Sequence, residues 1–519
     1  MAAACAEKKK RHTTKILKGL DVNKATGPNH IPAEILRRIA EEISLPFTIL
    51  CRRLLSEGCW PKIWQLHQIC PLYKRKTAFN AGNYRGIHLT TILSKTAERI
   101  IGRPLVPFLQ QKCFGINQWA FTPRLSSRDL VTALMMSWIL AVCTGFKVAA
   151  YLSDITGAFD RVFRDYMLAK LYNAGIGTKF LNFLASYLKP RKAVVVVEGI
   201  ESDETEIADQ VFQGTVLGPP LWNTFFADVV RPASSSGGRP SIFADDLNVF
   251  QEFDRTVPNE ECQQVMMDCR AKVHRWGKVN RVVFDADKEH IIVLHPLQGE
   301  GEPFKLLGCL VDCKLIMQNA VDKMLTQIRP KVKAILRTRA FYAEKDLIAQ
   351  FKTHIWGLME CHNGGIFHAS TLVLEKLDAV HYKFLRDIGI HPNEAFLNFN
   401  FGPPNLRRNI GILGLLHKRV LGLSHPMFQS LLPFASDVPG VHDQNGHSRQ
   451  LYSHLPEVHF QLVLFCRSIF AMTHVYNKLP QEVIDCKTVS SFQSSVTKIT
   501  RKACENGDPD WANFFSCRK

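Results

Sequence analysis

Two adjacent carboxylates, Asp245 and Asp246, interrupt an otherwise largely apolar stretch of the chain. Residues 241–244 on one side and 247–250 on the other are rich in apolar and aromatic side chains, as strands are. We therefore predict a short β-hairpin with the acidic side chains at its turn. A further strand-like run, residues 148–153, ends at a third carboxylate, Asp154.

Carboxylates at the ends of neighbouring strands have a specific chemical use. Together they can hold a pair of divalent cations that activates an attacking oxygen and stabilises a leaving one in phosphoryl transfer. An isolated pair of aspartates is more often a surface turn, so the rest of the sequence has to support this interpretation. The pattern favours a nucleotidyl transferase.

The charge of the chain points to a polyanionic partner. The 519 residues include 65 Lys and Arg against 47 Asp and Glu, which gives a net charge of +18. Such an excess favours binding to nucleic acid, although a generally basic surface is an alternative interpretation. A hydrophobic fraction of 46% indicates a folded chain with several domains.

The cysteines and the start of the sequence predict an intracellular protein. The 15 cysteines form no disulfide framework, and the first residues have no apolar core of a signal peptide. We therefore expect a nuclear or cytoplasmic location, or both. Residues 8–12 are either a nuclear localisation signal or a solvated basic segment at the N-terminus. Residues 130–146 are nearly uncharged but short for a membrane span, so a buried helix and no membrane contact are expected. The spacing of Cys309 and Cys313 is only weak support for a metal site.

The order of predicted elements divides the chain into two parts. Strands and helices alternate up to about residue 312, which predicts a mixed α+β core. Beyond it, apolar residues recur at helical spacing with Lys and Arg between them, and we expect Pro330 to break or kink that helix. We also predict loops at residues 233–238, at Pro392 and at residues 402–404.

Several motifs together resemble those of reverse transcriptases. Residues 151–160 resemble the first catalytic motif of that family, and the whole set is similar to polymerases of non-LTR (LINE-type) retrotransposons. The similarity covers about residues 24–312, in the family order. The remaining motifs lie at residues 27–32 (N-terminal extension), 71–74 and 83–90 (fingers), 114–121 (second fingers motif), 213–223 (between the acidic strands) and 304–308 (primer-grip hairpin).

The resemblance implies a right-hand polymerase fold of the α+β class. A basic N-terminal segment (residues 1–23) would precede the fingers and the palm with its antiparallel sheet (residues 24–312). A helical thumb (residues 313–400) would grip nucleic acid, with a solvated charged face as the alternative for its basic helices. A mostly helical C-terminal region of unknown role (residues 401–519) would follow. We also expect the endonuclease that often precedes such polymerases to be absent.

The resemblance also implies a metal site. Asp154 and Asp245 would bind both of two Mg²⁺ ions, with Mn²⁺ as the alternative metal, because hard carboxylate oxygens suit these cations. Asp246 would tune or join the site, or would simply be a solvated turn residue. The backbone carbonyl of Ile155 would be a further ligand.

Other family positions imply roles around the nucleotide. Phe159 would be a steric gate against a 2′-hydroxyl, unless it is an ordinary core residue. Lys74 and Arg85 would clamp the triphosphate. Gln213 and Gly214 would lie beside the nucleotide. Lys288 would be a general acid near the leaving pyrophosphate. Surface charges or a plain turn are the alternatives for these residues.

The sequence thus predicts an RNA-directed DNA polymerase with an RNA template, a DNA primer and dNTPs as partners, and leaves the oligomeric state open. One alternative is a catalytically inactive remnant that binds nucleic acid. Another is an RNA-copying RNA polymerase, which Phe159 argues against because such enzymes use a polar residue there.

Overall fold

The computed structural model describes residues 2–74, 77–439 and 447–518, with side chains from residue 10 onward. Strands and helices alternate up to Val311, and the elements described after it are helical. The strands are β1 (Leu66–Tyr73), β2 (Tyr84–Leu89), β3 (Phe146–Ser153), β4 (Arg191–Val197), β5 (Ile200–Glu201), β6 (Thr205–Ile207), β7 (Arg239–Phe243), β8 (Asp246–Asp254), β9 (His290–Leu294), β10 (Phe304–Leu306) and β11 (Cys309–Val311).

The α-helices lie on both sides of β11 in the sequence. Those before β11 are α1 (Ala2–Lys18), α2 (Ala33–Arg38), α3 (Ala40–Glu57), α4 (Ile92–Leu109), α5 (Ser127–Cys143), α6 (Arg164–Asn173), α7 (Thr178–Tyr187), α8 (Gly218–Phe226), α9 (Val230–Ser234) and α10 (Asn259–Asn280). Those after it are α11 (Gln318–Arg337), α12 (Glu344–Phe351), α13 (Gly357–Glu360), α14 (Asn363–Ile366), α15 (Thr371–Asp387), α16 (Pro392–Phe399), α17 (Pro404–Val420), α18 (Met427–Leu431), α19 (Leu462–Cys466), α20 (Met472–Asn477), α21 (Gln481–Ile484) and α22 (Val489–Glu505).

The central sheet has the strand order β7-β8-β3-β9, and every neighbouring pair is antiparallel. The predicted hairpin is confirmed: β7 and β8 pair up to Phe243 and Asp246, which leaves Ala244 and Asp245 as the turn. Strand β3 is confirmed as well, and it is buried along almost its whole length. It pairs with β8 so that Ser153 faces Leu247.

Helix α5 covers one face of this sheet. Its N-terminus carries a capping box in which Ser126 and Asp129 satisfy each other's backbone N–H groups. Its residues are almost all buried, which confirms the prediction of a buried helix before β3. In the described ranges, no helix combines the length and the apolar character needed to cross a bilayer.

A second sheet lies in the part of the chain predicted to form the fingers. Strand β1 pairs antiparallel with β2 and parallel with β4, and β4 also pairs with the short strands β5 and β6. The predicted hairpin at residues 304–308 is confirmed as the antiparallel pair β10 and β11.

The loop and breaker predictions hold only in part. Helix α11 continues through Pro330, because its buried apolar face offsets the hydrogen bond that proline removes, a cost of about 3 kcal/mol. Pro392 opens helix α16, at the first helical position where its fixed φ is favourable. Residues 233 and 234 end helix α9 rather than starting a loop, and Ala233 is fully buried.

The largest hydrophobic core crosses the predicted domain boundaries. It begins at Trp119 and α5, includes the apolar face of α11, and continues to Phe515 near the end of the described chain. A second core lies on the opposite face of the central sheet and joins α8 and α10 to β3 and β8. The C-terminal region therefore packs directly on the α5 side of the sheet, while the boundaries at residues 312 and 400 stay predictions.

Candidate active site

The three acidic residues lie at one end of the central sheet. Strands β3 and β8 pair with Ser153 opposite Leu247, so continuing the register by one residue puts Asp154 opposite Asp246. Asp245 occupies the turn beside them. The structure thus brings together carboxylates that are about 90 residues apart in the sequence. Their position at the ends of neighbouring strands is the one that the sequence predicted.

The electrostatics of the site reflect the proximity of these carboxylates. Burial raises the pKa of Asp245, and the charge of Asp154 raises it further. Burial, Asp245 and Asp154, in that order, raise the pKa of Asp246 to about 7. Burial and mutual repulsion thus both disfavour the charged forms of Asp245 and Asp246.

Lys288 faces this group of carboxylates. Its Nζ donates to Asp154 Oδ2 at 2.5 Å and contacts Asp285 Oδ2 at 3.0 Å. Burial alone would lower the pKa of Lys288, but the hydrogen bonds with Asp154 and Asp285 more than offset this and raise it. Lys288 is therefore a protonated amine in direct contact with the site.

The donor set fits divalent cations. Asp154 Oδ1 accepts from the backbone N–H of Ile155 at 2.8 Å, which orients the carboxylate. Ile155 forms an isolated antiparallel bridge with Phe284. The hydrogen bonds of this bridge are made by the residues on either side of Ile155 and Phe284, so the carbonyl of Ile155 itself points away from Phe284. No three or more His, Cys, Asp or Glu side chains of the described chain are arranged to hold one metal ion. Mg²⁺ is usually held by one or two carboxylates plus substrate phosphates and water, so Asp154 and Asp245 suffice in number.

The turn itself is held by two side chains that the sequence did not reveal. Ala244 has φ +59°, a left-handed conformation that is uncommon for a residue with a Cβ. Its N–H donates to Gln118 Oε1 at 3.2 Å, and its carbonyl accepts from Trp222 Nε1 at 2.9 Å. These bonds link the acidic turn to the segment before α5 and to helix α8.

Phe159 packs near the same helix. Its ring is stacked on Trp222 with 5.8 Å between centroids, and its carbonyl accepts from Val211 N at 2.9 Å. The side chain is only partly buried. Phe159 is thus joined through Trp222 to the turn that carries Asp245.

The two predicted fingers cations are exposed and lie near acidic residues of the site. Lys74 follows β1, and its positive charge opposes the rise that burial causes in the pKa of Asp160. Arg85 lies on β2 opposite Leu72, and its positive charge likewise opposes the rise that burial causes in the pKa of Asp245. Asp160 was not predicted as a site residue.

Gln213 and Gly214 form a turn against strand β2. The carbonyl of Gln213 accepts from His88 N at 3.2 Å. Gly214 has φ +92°, and a Cβ there would lie 2.6 Å from the His88 carbonyl oxygen. The close backbone approach that glycine permits here is therefore to His88.

A buried polar network supports this turn, and sequence reasoning missed it. Glu98 of α4 is fully buried, and its Oε2 accepts from Val216 N at 2.6 Å, Leu217 N at 2.9 Å and Tyr187 Oη at 3.2 Å. Burial raises the pKa of Glu98. A glutamate inside a helical pattern is usually a surface residue, so the sequence carries no signal for this role.

A guanidinium and two imidazoles complete the network. Arg191 Nη1 contacts His67 Nε2 at 2.7 Å, and the Nδ1 atoms of His67 and His88 are 3.0 Å apart. Burial and the nearby Arg191 lower the pKa of His67 to about 2 and that of His88 to about 4. Both rings are therefore neutral, and Arg191 is the cation that faces Glu98.

Several known proteins are similar to this chain. Residues 73–311 match the family model described as "Reverse transcriptase (RNA-dependent DNA polymerase)". The probable RNA-directed DNA polymerase from transposon X-element of Drosophila melanogaster is 25% identical over 60% of this chain and 36% of its own length. The corresponding protein from transposon BS of the same species is 26% identical over 62% and 36%. The chain spans about a third of the length of these relatives.

Among solved structures, apo telomerase from Candida tropicalis is similar with a TM-score of 0.39 and 11% identity, over 69% of this chain and 64% of that one. The fold is assigned from the strand order and pairing of the central sheet. The antiparallel hairpin of β7 and β8 with its acidic turn lies inside the residues that the family model matches. Residues 73–311 thus match a reverse transcriptase family model, and the relatives named above are described as RNA-directed DNA polymerases of transposons.

Proposed function

We propose that this chain synthesises DNA on an RNA template by adding dNTPs to the 3′-hydroxyl of a primer. The observation that carries the proposal is the meeting of Asp154, Asp245 and Asp246 at one end of the central sheet, inside a reverse transcriptase domain. The excess of 65 Lys and Arg over 47 Asp and Glu supports a nucleic-acid partner.

We assign Asp154 and Asp245 as the carboxylate ligands of two Mg²⁺ ions, with Mn²⁺ as a substitute, and Ile155 as a backbone ligand. When bound, such ions activate the attacking hydroxyl and stabilise the departing oxygen. Asp246 raises the negative charge of the site and thereby favours cation binding. The raised pKa values of Asp245 and Asp246 support this assignment, because they come from burial and from repulsion between the carboxylates, and an adjacent cation would relieve that repulsion.

The remaining residues would bind and orient the nucleotide. Lys74 and Arg85 lie on the fingers side and supply positive charge for the triphosphate. Phe159 sits against Trp222 and would exclude a 2′-hydroxyl, and Gln213 with Gly214 would line the nucleotide site. Lys288 is protonated and would donate its proton to the leaving pyrophosphate once substrate loosens its contact with Asp154.

The helices after residue 312 are proposed as a thumb that holds the template–primer duplex. Basic residues on α11 and just after it, such as Lys331, Lys333 and Arg337, would contact phosphates. Contacts of this kind position the duplex and read no sequence.

Primer extension on a heteropolymeric RNA template with Mg²⁺ tests the proposal. The purified wild type should extend the primer with dNTPs, and Asp154→Ala and Asp245→Ala should each abolish extension. Asp254→Asn is the matched control, because Asp254 is exposed at the far end of the same strand β8. It should extend the primer as the wild type does.

Three results would count against the proposal. Wild-type protein that binds RNA in a salt-sensitive way but incorporates no dNTP would identify an inactive nucleic-acid-binding remnant. Extension by Asp154→Ala at the wild-type rate would separate activity from the acidic site. Preference for rNTPs over dNTPs would indicate an RNA-copying RNA polymerase.

A further inference from the structure

We propose that the C-terminal helical region positions the catalytic turn, with His425 bracing the short segment whose Gln118 side chain fixes Ala244. We call residues 116–119 the bracing segment. Only the catalytic consequence of this inference rests on the proposed function. The structural link from residue 425 to residue 244 can be tested without any activity.

The bracing segment pairs with the strand that leads into the acidic turn. Trp119 N donates to the carbonyl of Ile242 at 2.9 Å, and Ile242 N donates to the carbonyl of Asn117 at 2.8 Å. Between these two bonds, Gln118 Oε1 accepts from Ala244 N at 3.2 Å and from Ala120 N at 3.0 Å. The position of this segment therefore determines where the amide of Ala244 is held.

His425 contacts both ends of the bracing segment. Its Nε2 is 2.6 Å from the carbonyl oxygen of Ile116, and its ring is stacked on Trp119 with 3.7 Å between centroids. Its Nδ1 accepts from Met427 N at 3.2 Å, which leaves Nε2 as the protonated donor to Ile116. His425 and Trp119 are 7% and 1% exposed, so neither contact competes with bulk water.

A second anchor from the same part of the chain lies close by. Lys418, on α17, donates from Nζ to the carbonyl of Arg124 at 2.8 Å and to Asp129 Oδ1 at 2.7 Å. Asp129 completes the capping box of α5 together with Ser126, and Lys418 is largely buried at this contact. The C-terminal region thus holds the chain on both sides of the turn between the bracing segment and α5.

The conformation of Ala244 explains why such a brace matters. A non-glycine residue in the left-handed region costs of order 1 kcal/mol or more, and it persists only where its surroundings hold it. Gln118 and Trp222 supply the two hydrogen bonds that do so. Loosening the bracing segment would weaken one of them and let the turn that carries Asp245 relax.

Hydrogen exchange of the full-length protein tests the link directly. In His425→Ala, the amide of Ala244, followed in peptides that cover residues 240–248, should exchange about ten-fold faster, as expected when roughly one buried hydrogen bond is lost. His447→Ala is the matched control, because His447 is equally buried but bonds to the carbonyl of Tyr476 within its own region. It should leave exchange at residues 240–248 unchanged. His425→Gln retains an N–H donor and should restore part of the protection.

Activity provides the second readout. His425→Ala should lower kcat for nucleotide addition about ten-fold while KM for the template–primer stays at the wild-type value, because the perturbed turn lies at the reacting end. Should His425→Ala not fold, Lys418→Met is the second variant, with the same expected change in exchange.

Two outcomes would overturn the inference. One is wild-type exchange at residues 240–248 in folded His425→Ala. The other is an equal increase in His447→Ala, which would indicate general destabilisation. An inactive wild type would refute the proposed function alone, because the exchange comparison would still decide whether His425 braces the turn.

Discussion

Replacing Asp246 by Asn should stabilise the metal-free protein above neutral pH, and the gain should disappear in acid. Burial and the charges of Asp245 and Asp154 raise the pKa of Asp246 from 3.8 to about 7. The folded protein therefore binds this proton more tightly than the unfolded chain does. The contribution of Asp246 to the free energy of unfolding therefore falls as pH rises from about 4 to about 7, and the loss is complete above that window.

The size of the effect follows from the pKa shift. A difference of about three units corresponds to about 4 kcal/mol at pH 8, which is an upper limit because Asp245 shares the repulsion. Asn keeps the shape of the side chain and removes its charge. The free energy of unfolding of Asp246→Asn should thus exceed the wild-type value by up to about 4 kcal/mol at pH 8 and equal it near pH 4.

Urea unfolding in EDTA, followed by tryptophan fluorescence at pH 4, 6 and 8, measures this difference. Asp254→Asn is the control on the same strand, where hydrogen bonds from Thr256 lower the pKa of Asp254, so its effect at pH 8 should have the opposite sign. Adding Mg²⁺ should narrow the difference in stability at pH 8, because the charge of Asp246 favours cation binding and a cation therefore stabilises the folded wild type by mass action more than it stabilises the variant. Equal stability of Asp246→Asn and wild type at pH 8 would refute the electrostatic reasoning.

Substitutions at three other positions test the surroundings of the site. Glu98→Ala should lower the free energy of urea unfolding by roughly 3 kcal/mol or more, because three buried donors lose their acceptor, whereas Glu98→Gln retains an acceptor oxygen and should cost less. Gly214→Ala should slow primer extension, because the added Cβ would lie 2.6 Å from the His88 carbonyl; wild-type kinetics would contradict this geometry. Phe159→Ala should raise the ratio of kcat/KM for CTP to that for dCTP by roughly ten-fold or more; an unchanged ratio would assign Phe159 to packing on Trp222 alone.

The parts of the structure that sequence predicted are those specified by local pattern. The acidic hairpin, β3 and the buried helix α5 each follow from a short run of residue types with a clear start and end. Helix α11 shows the limit of such rules, because a proline signal was outweighed by an apolar face that packs only in the folded chain.

The side chains that hold the site in place could not be predicted from local sequence patterns. Gln118 and Trp222 are more than 20 residues from Ala244, and His425 is about 180 residues away, so no local pattern connects them. Glu98 looks like an ordinary residue of an amphipathic helix until the fold encloses it. Contacts of this kind follow from tertiary packing, which pairs distant residues through geometry rather than through spacing in the sequence.

Electron paramagnetic resonance of bound Mn²⁺ tests the central claim most directly. With an RNA template, a 3′-deoxy-terminated primer and a matching dNTP, the wild type should bind two Mn²⁺ ions close enough for their spins to couple. Asp154→Asn and Asp245→Asn should each lose that coupled signal, and Asp254→Asn should keep it. An undiminished coupled signal in Asp154→Asn and Asp245→Asn would contradict the assignment of these carboxylates as the shared metal ligands.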